Sequence, residues 1–177
     1  GDAGLVELHE QRQDVIDLAA SRPGLLPDYA VNKAREVMVA HRESFRRAVE
    51  AGVKQVLVTG TCFEYGMQSG PLSEKNDAQP ANPYGLAKHT LHRFLQNLQQ
   101  EHSFTLQWAR LFYLHGEGQN PNSLLAALDR AIDAGDTTFN MSAGEQLRDF
   151  LAIETATAYL AAILRKRDFD GTINCAS

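Results

Sequence analysis

The tightest constraint on the fold is a pair of apolar runs separated by one long, well-punctuated helical segment. Gln55 to Thr59 reads Gln-Val-Leu-Val-Thr, a pattern suited to a strand covered on both faces. Leu106 to Leu114 is a second extended run. Between them, Pro83 to about Glu101 reads as a helix with Asn82 at its N-cap. An Asn side chain accepts from the unpaired amides of the first turn, and proline loses no hydrogen bond at the first helical position. Strand, long helix, strand is the signature of a βαβ unit and a parallel sheet.

The remaining pattern repeats this alternation. Leu5 to Gln13 reads as a short helix, Val15 to Ala19 as a buried strand, and Pro23, Gly24 and Pro27 mark a loop. Val31 to Ala51 reads as a long helix closed by Gly52. A Gly- and Pro-rich connection runs from Gly60 to Pro80. Ser123 to Ala134 is amphipathic, with Leu124, Leu125, Leu128 and Ile132 on one stripe. Thr137 to Met141 and Gln146 to Ile153 read as short extended segments, Glu154 to Lys166 as a helix and Thr172 to Cys175 as a last strand. The expected fold class is α/β, a doubly wound parallel sheet with helices on both faces. Ligands of such sheets sit at the carboxyl ends of the strands. The segments Thr59 to Gly66 and Leu111 to Gln119 fall there.

Composition removes several function classes. With 177 residues, 44% hydrophobic and 22% charged, the chain suits one domain with a real core. A formal net charge of -5 gives no basic face for nucleic acid, although local basic residues still allow an anionic small molecule. No apolar run spans a bilayer, so no membrane partner is expected. Gly1-Asp2-Ala3-Gly4 lacks a secretion pattern, which makes the cytoplasm the expected compartment. In that setting the glycosylation-type triplet at Asn140 is a chance match. Cys62 and Cys175 stand apart from any Cys/His cluster, so they read as reduced thiols, with no metal site expected. His115 beside its turn is likewise given no chemical role.

Chemistry concentrates in Tyr84-Gly85-Leu86-Ala87-Lys88. Tyr and Lys four apart share a helix face, and a nearby ammonium favours the phenolate. The pair is expected to lower the tyrosine's proton affinity and make it an acid/base group near neutrality. Such pairs are often purely structural, but the context here is unusual. A buried strand upstream ends in Thr59-Gly60-Thr61-Cys62-Phe63-Glu64-Tyr65-Gly66, which sets a hydroxyl at a strand's carboxyl end.

The order of hydroxyl, Tyr-Gly and Tyr-x-x-x-Lys resembles the extended short-chain dehydrogenases/reductases, the NAD-dependent epimerase/dehydratase family of nucleotide-sugar enzymes. The resemblance implies a Rossmann-like fold, NAD or NADP as cofactor, and Thr61, Tyr84 and Lys88 as the catalytic triad. Tyr84 would move a proton to or from a sugar oxygen, and Lys88 would also hold the nicotinamide ribose. Asp14 to Ala20 resembles the family's fourth strand, which sets Ala19 and Ala20 against the cofactor. Thr59 joins the implied cofactor-binding residues. Arg110 to Gly116 resembles a strand-to-loop segment that places Leu111 near the nicotinamide. Gln146 to Phe150 resembles the segment whose arginine, here Arg148, contacts the nucleotide diphosphate; an arginine fork suits phosphate oxygens. A surface ion pair with Asp149 or Glu145 is the plainer alternative for Arg148. Phe63, Gln119 and Asn122 complete the implied substrate pocket.

The family's 4,6-dehydratases resemble one another in an Asp-Glu pair directly after the catalytic Thr. Cys62 and Phe63 stand there, and Glu64, one residue on, is expected to point elsewhere on an extended backbone. Dehydration is therefore disfavoured, and 4-keto reduction or C4 epimerisation is expected. Thr59 to Gly70, Ala109 to Tyr113 and Gly144 to Asp149 are similar to a bacterial deoxysugar branch that includes dTDP-6-deoxy-L-talose 4-dehydrogenase-like enzymes. The family's glycine loop is not in this sequence, Asp17 replaces a usual His, and Glu36 falls near a usual Asn. The expectation is one partial domain over residues 1–177, with the substrate-binding part beginning near residue 120. The resemblance also implies a nucleotide-diphosphate sugar as partner and a homodimer face on Val31 to Ala51 and Pro83 to Glu101. A non-catalytic binding module and an inactive fragment remain the alternatives to a working enzyme.

Overall fold

The computed structural model describes residue 39 and residues 41–177. The expected elements Leu5 to Gln13 and Val15 to Ala19, the loop at 23–27 and much of Val31 to Ala51 lie outside the described residues. So do Asp17, Ala19, Ala20 and Glu36. Helix α1 covers 41–50, and Gly52 follows it at φ 96°, the left-handed conformation that commonly ends a helix.

Strand β1 is Gln55–Thr61, and a 3-10 turn at Cys62–Tyr65 continues directly from it. Helix α2 is Pro83–Glu101, capped by the Asn82 side chain as the sequence indicates. Strand β2 is Thr105–Leu111 and β3 is Tyr113–His115. Helix α3 is Leu124–Asp133, capped by Ser123. Strand β4 is Phe150–Ala152, α4 is Ile153–Arg165 and β5 is Gly171–Cys175. The main sheet has the order β1-β2-β5 with both pairings parallel. Strands β3 and β4 form a separate parallel pair.

Side-chain alternation along the central strands divides the core between two faces. Val56, Val58, Leu106 and Trp108 face α1 and α2, where they meet Val49, Leu91, Leu95 and Leu98. Leu57, Ala109 and Leu111 turn to the other face, with Ala156, Leu160 and Ile163 of α4. Helices thus cover both sides of a parallel α/β sheet, as expected. No helix of the described residues is long and apolar enough to cross a membrane.

Three extended segments come out differently from the sequence reading. Leu106 to Leu114 is two strands, broken at Phe112. The Phe112 amide still donates to the Cys175 carbonyl at 3.3 Å, whereas Tyr113 donates to Asp149 at 3.1 Å, so the chain changes partners there. Thr137 to Met141 forms no strand, and within Gln146 to Ile153 only Phe150–Ala152 is paired. Local pattern reports extension, but a strand needs a neighbouring ladder. The α3 stripe is also less covered than its periodicity suggests, with Leu124 and Ile132 both exposed.

Candidate active site

The site forms where β1 ends. Thr61 is the N-cap of the 3-10 turn, and its hydroxyl accepts from the Phe63 amide at 3.3 Å. Glu64 reaches back to accept from the Thr61 amide at 2.9 Å. This reciprocal pair is a capping box. The first turn of α2 lies directly on this turn. A Cβ on Gly85 would run into the Phe63 carbonyl oxygen, with the Phe63 Cβ at 3.2 Å, so the contact needs glycine at the residue after Tyr84.

The close approach brings the predicted triad to one place. The Thr61 hydroxyl lies beside the Tyr84 phenol and the Cys62 thiol, and its one proton favours the anion of either. The Lys88 ammonium donates to the Thr59 carbonyl at 2.8 Å and lies 6.0 Å from the centre of the Tyr84 ring. Thr59, Thr61 and Leu111 share the carboxyl edge of the sheet, with Thr61 and Leu111 in register.

The acid/base state of Tyr84 differs from the sequence expectation. Burial, with the Glu64 charge and, once ionised, the Cys62 thiolate adding to it, pushes the phenol up to about 12. The Thr61 hydrogen bond, which favours the phenolate, does not overcome its desolvation. Tyr84 is therefore a protonated phenol at neutral pH. Burial likewise pushes the Cys62 thiol up to about 11.

Phe63 bridges this centre to a neighbouring cleft. Its ring meets Tyr84 edge-on at 6.2 Å and Tyr113 at 5.7 Å. The cleft, of about 380 Å³, is lined by Tyr113, Gln119, Ser123, Gln146, Arg148 and Phe150 among others. Arg148 lies over the Tyr113 ring at 4.6 Å and donates to the Tyr113 hydroxyl and, at 2.5 Å, to Gln146. Asp149 accepts instead from the Ser177 amide and hydroxyl. Gln119 accepts from Ser123 at 3.1 Å. Asn122 is exposed, its amide donating to Asn120, and it is not among the cleft-lining residues. Leu111 is half-buried in the second core cluster.

Sequence reasoning missed a buried polar network beneath Thr61. Glu64 is fully buried, and its carboxylate accepts from Trp108 Nε1 at 3.0 Å and from Arg110 Nε at 3.2 Å. Glu64 points inward because the backbone here is a 3-10 turn rather than extended. The Thr61-x-x-Glu64 spacing was the available signal, since it spells a capping box. His92 stacks on Trp108 at 4.3 Å, and burial holds it neutral, at about 3. Glu64, His89 and His92 place metal-type ligand atoms within 4.8 Å of one another. Both Glu64 oxygens already accept hydrogen bonds and the Arg110 guanidinium adjoins them, so the carboxylate is committed to an internal ion pair.

Residues 7–176 match the model of the NAD dependent epimerase/dehydratase family. The chain belongs to that family. Among curated epimerase/dehydratase relatives, it is 28% identical over 141 residues to the dTDP-6-deoxy-L-talose 4-dehydrogenase (NAD(+)) of Aggregatibacter actinomycetemcomitans, covering 79% of this chain and 52% of the relative. Among solved structures, MoeE5 in complex with UDP-glucose and NAD superposes with a TM-score of 0.73 at 26% identity, covering 88% of this chain and 54% of that one. The UDP-N-acetylglucosamine 4-epimerase from Bacillus cereus, 18% identical, shares the fold with a TM-score of 0.78 over 89% of this chain and 54% of its own. The chain thus spans about half the length of the relatives it matches.

Proposed function

We propose that this chain carries the acid/base centre of an NAD- or NADP-dependent nucleotide-sugar oxidoreductase. Its reaction is reduction of a 4-keto-6-deoxyhexose carried on a nucleotide diphosphate, or the reverse oxidation. The observation that carries the reading is the meeting of Thr61, Tyr84 and Lys88 at the carboxyl end of β1. The similarity to a curated 4-dehydrogenase of a 6-deoxysugar supports the substrate class.

The donor set fits a nicotinamide dinucleotide: an ammonium and a phenol stand at the strand ends, beside apolar Leu111. Lys88, Tyr84, Thr59 and Leu111 would hold the cofactor together with Ala19 and Ala20. When bound, the nicotinamide supplies the hydride chemistry. Thr61 donates to the sugar's C4 oxygen and orients it. Tyr84, protonated at neutral pH, delivers its proton to that oxygen as it gains negative charge. The Lys88 ammonium offsets the charge left on the phenolate. Arg148 binds the diphosphate of the substrate, and Phe63 and Gln119 line the path between sugar and nucleotide. Residues from about 120 onward begin the substrate-binding part.

Dehydration fits poorly. Cys62 and Phe63 carry no carboxyl, and the Glu64 carboxylate is turned onto Trp108 and Arg110. The test is to supply a dTDP-4-keto-6-deoxyhexose with reduced nicotinamide and follow cofactor oxidation. Oxidation that disappears in Tyr84→Phe supports the 4-ketoreductase. A new sugar isomer without net oxidation would reassign the centre to C4 epimerisation. No change with several nucleotide sugars would leave a non-catalytic binding module.

A further inference from the structure

We propose that Glu64 is a positioning residue, whose buried carboxylate, clamped by Trp108 and Arg110, holds the Thr61 amide and so sets the Thr61 hydroxyl against Tyr84. The inference rests on the oxidoreductase reading for its chemistry, but its geometry is independent of it.

Three donors converge on this carboxylate, with the single Trp108 N–H shared between its two oxygens. One oxygen takes the Thr61 amide at 2.9 Å and Trp108 Nε1 at 3.0 Å. The other takes Trp108 at 3.2 Å and Arg110 Nε at 3.2 Å. Both side chains of the ion pair are 5% exposed or less, so solvent does not screen the arrangement. Arg110 is itself held over the Tyr65 ring at 4.4 Å, and Tyr65 donates to Asn174 on β5 at 2.7 Å. The turn that carries Thr61 is thereby tied to β2 and β5 rather than only to its own chain neighbours. A hydrogen-bonded anion with this many fixed donors is a rigid anchor. A neutral cap would satisfy the turn equally well, so turn formation alone does not account for a buried charge here.

The charge has a second consequence. Tyr84 faces Cys62 and Glu64 from the turn and Lys88 from its own helix. Glu64 in turn faces Arg110 and Trp108 of β2 and His89 and His92 of α2. His92 is neutral, and burial also lowers the proton affinity of His89, so Arg110 is the fixed cation of the set. The negative charge of Glu64 opposes ionisation of Tyr84 and keeps the phenol in its proton-donating form.

The test uses the purified full-length protein as wild type, Glu64→Gln and Glu64→Asp. Leu98→Ala, a core substitution at the far end of α2, serves as a stability control. Kinetics with a dTDP-4-keto-6-deoxyhexose and reduced nicotinamide are measured across pH. The Tyr84 phenol is titrated by ultraviolet difference against Tyr84→Phe in each background. Displacement of a reacting group by about 1 Å costs on the order of 100-fold. Glu64→Gln is therefore expected to lower kcat by about 10- to 100-fold with KM within about threefold. Its alkaline limb and its Tyr84 titration are both expected to move to lower pH. Glu64→Asp keeps the charge but falls short of the Thr61 amide, so its titration stays near wild type while kcat falls. It also decides the matter through kcat if Glu64→Gln does not fold. A Glu64→Gln enzyme with the kcat of Leu98→Ala at equal loss of thermal stability, and with Tyr84 titration unmoved, would overturn the proposal. Wild-type inactivity on every nucleotide sugar would sink the oxidoreductase reading instead, and the Tyr84 titration would still judge Glu64.

Discussion

Gly85→Ala tests the close approach on which the site depends. In an ordinary helix this change stabilises by about 0.8–1.0 kcal/mol. Here the added methyl meets the Phe63 carbonyl oxygen, with the Phe63 Cβ at 3.2 Å. That neighbour is backbone of the 3-10 turn, so no flexible side chain can swing away. Restoring ordinary contact requires α2 and the turn to part by roughly 1 Å. Overpacking of this kind costs about 1–3 kcal/mol. Rigid backbone on one side places the cost in the upper half of that range. The separation also stretches the 2.7 Å bond from the Gly85 amide to Asn82. Strain therefore wins over propensity, with a net loss of about 1–2 kcal/mol and a drop in Tm of about 2–8 °C. The same displacement moves Tyr84 from Thr61, so kcat should fall by about 100-fold. Urea unfolding and steady-state kinetics read the two effects separately. A Gly85→Ala protein as stable as wild type, with unaltered kcat, would refute the argument that this contact sets the Thr61–Tyr84 geometry.

Four further outcomes are expected. Tyr84→Phe should lower kcat by about 100- to 10,000-fold while leaving the urea midpoint nearly unchanged. Arg110→Ala leaves Glu64 buried without its cation and should cost about 3–5 kcal/mol by urea unfolding; a loss typical of an exposed pair would contradict the burial argument. Arg148→Ala removes an exposed fork and should weaken nucleotide-sugar binding by about 10- to 100-fold, read as KM or by calorimetry, with Tm little changed. His92 is depressed from 6.5 to about 3 in the fold, so its contribution to stability is present above pH 6.5 and is lost as pH falls toward 3. His92→Phe, which keeps a ring against Trp108, should flatten part of that acid decline in a series of urea midpoints.

Much of this protein could be read from its sequence. Asn82-Pro83 marked the start of α2, and the apolar runs located β1 and most of β2, because caps and side-chain alternation are local properties. The Thr61, Tyr84 and Lys88 set could be picked out by spacing and by resemblance. Tertiary structure decided what those residues are chemically. Tyr84 holds its proton more tightly than a free tyrosine, because burial and the Glu64 charge outweigh the Thr61 hydrogen bond; desolvation depends on residues distant in the chain. Glu64 turned inward because a 3-10 turn follows β1 and because Trp108 and Arg110 were waiting on the next strand. Leu106 to Leu114 became two strands because its neighbours change at Phe112. Local pattern sets which segments extend or coil, whereas partners, burial and charge are properties of the assembled sheet.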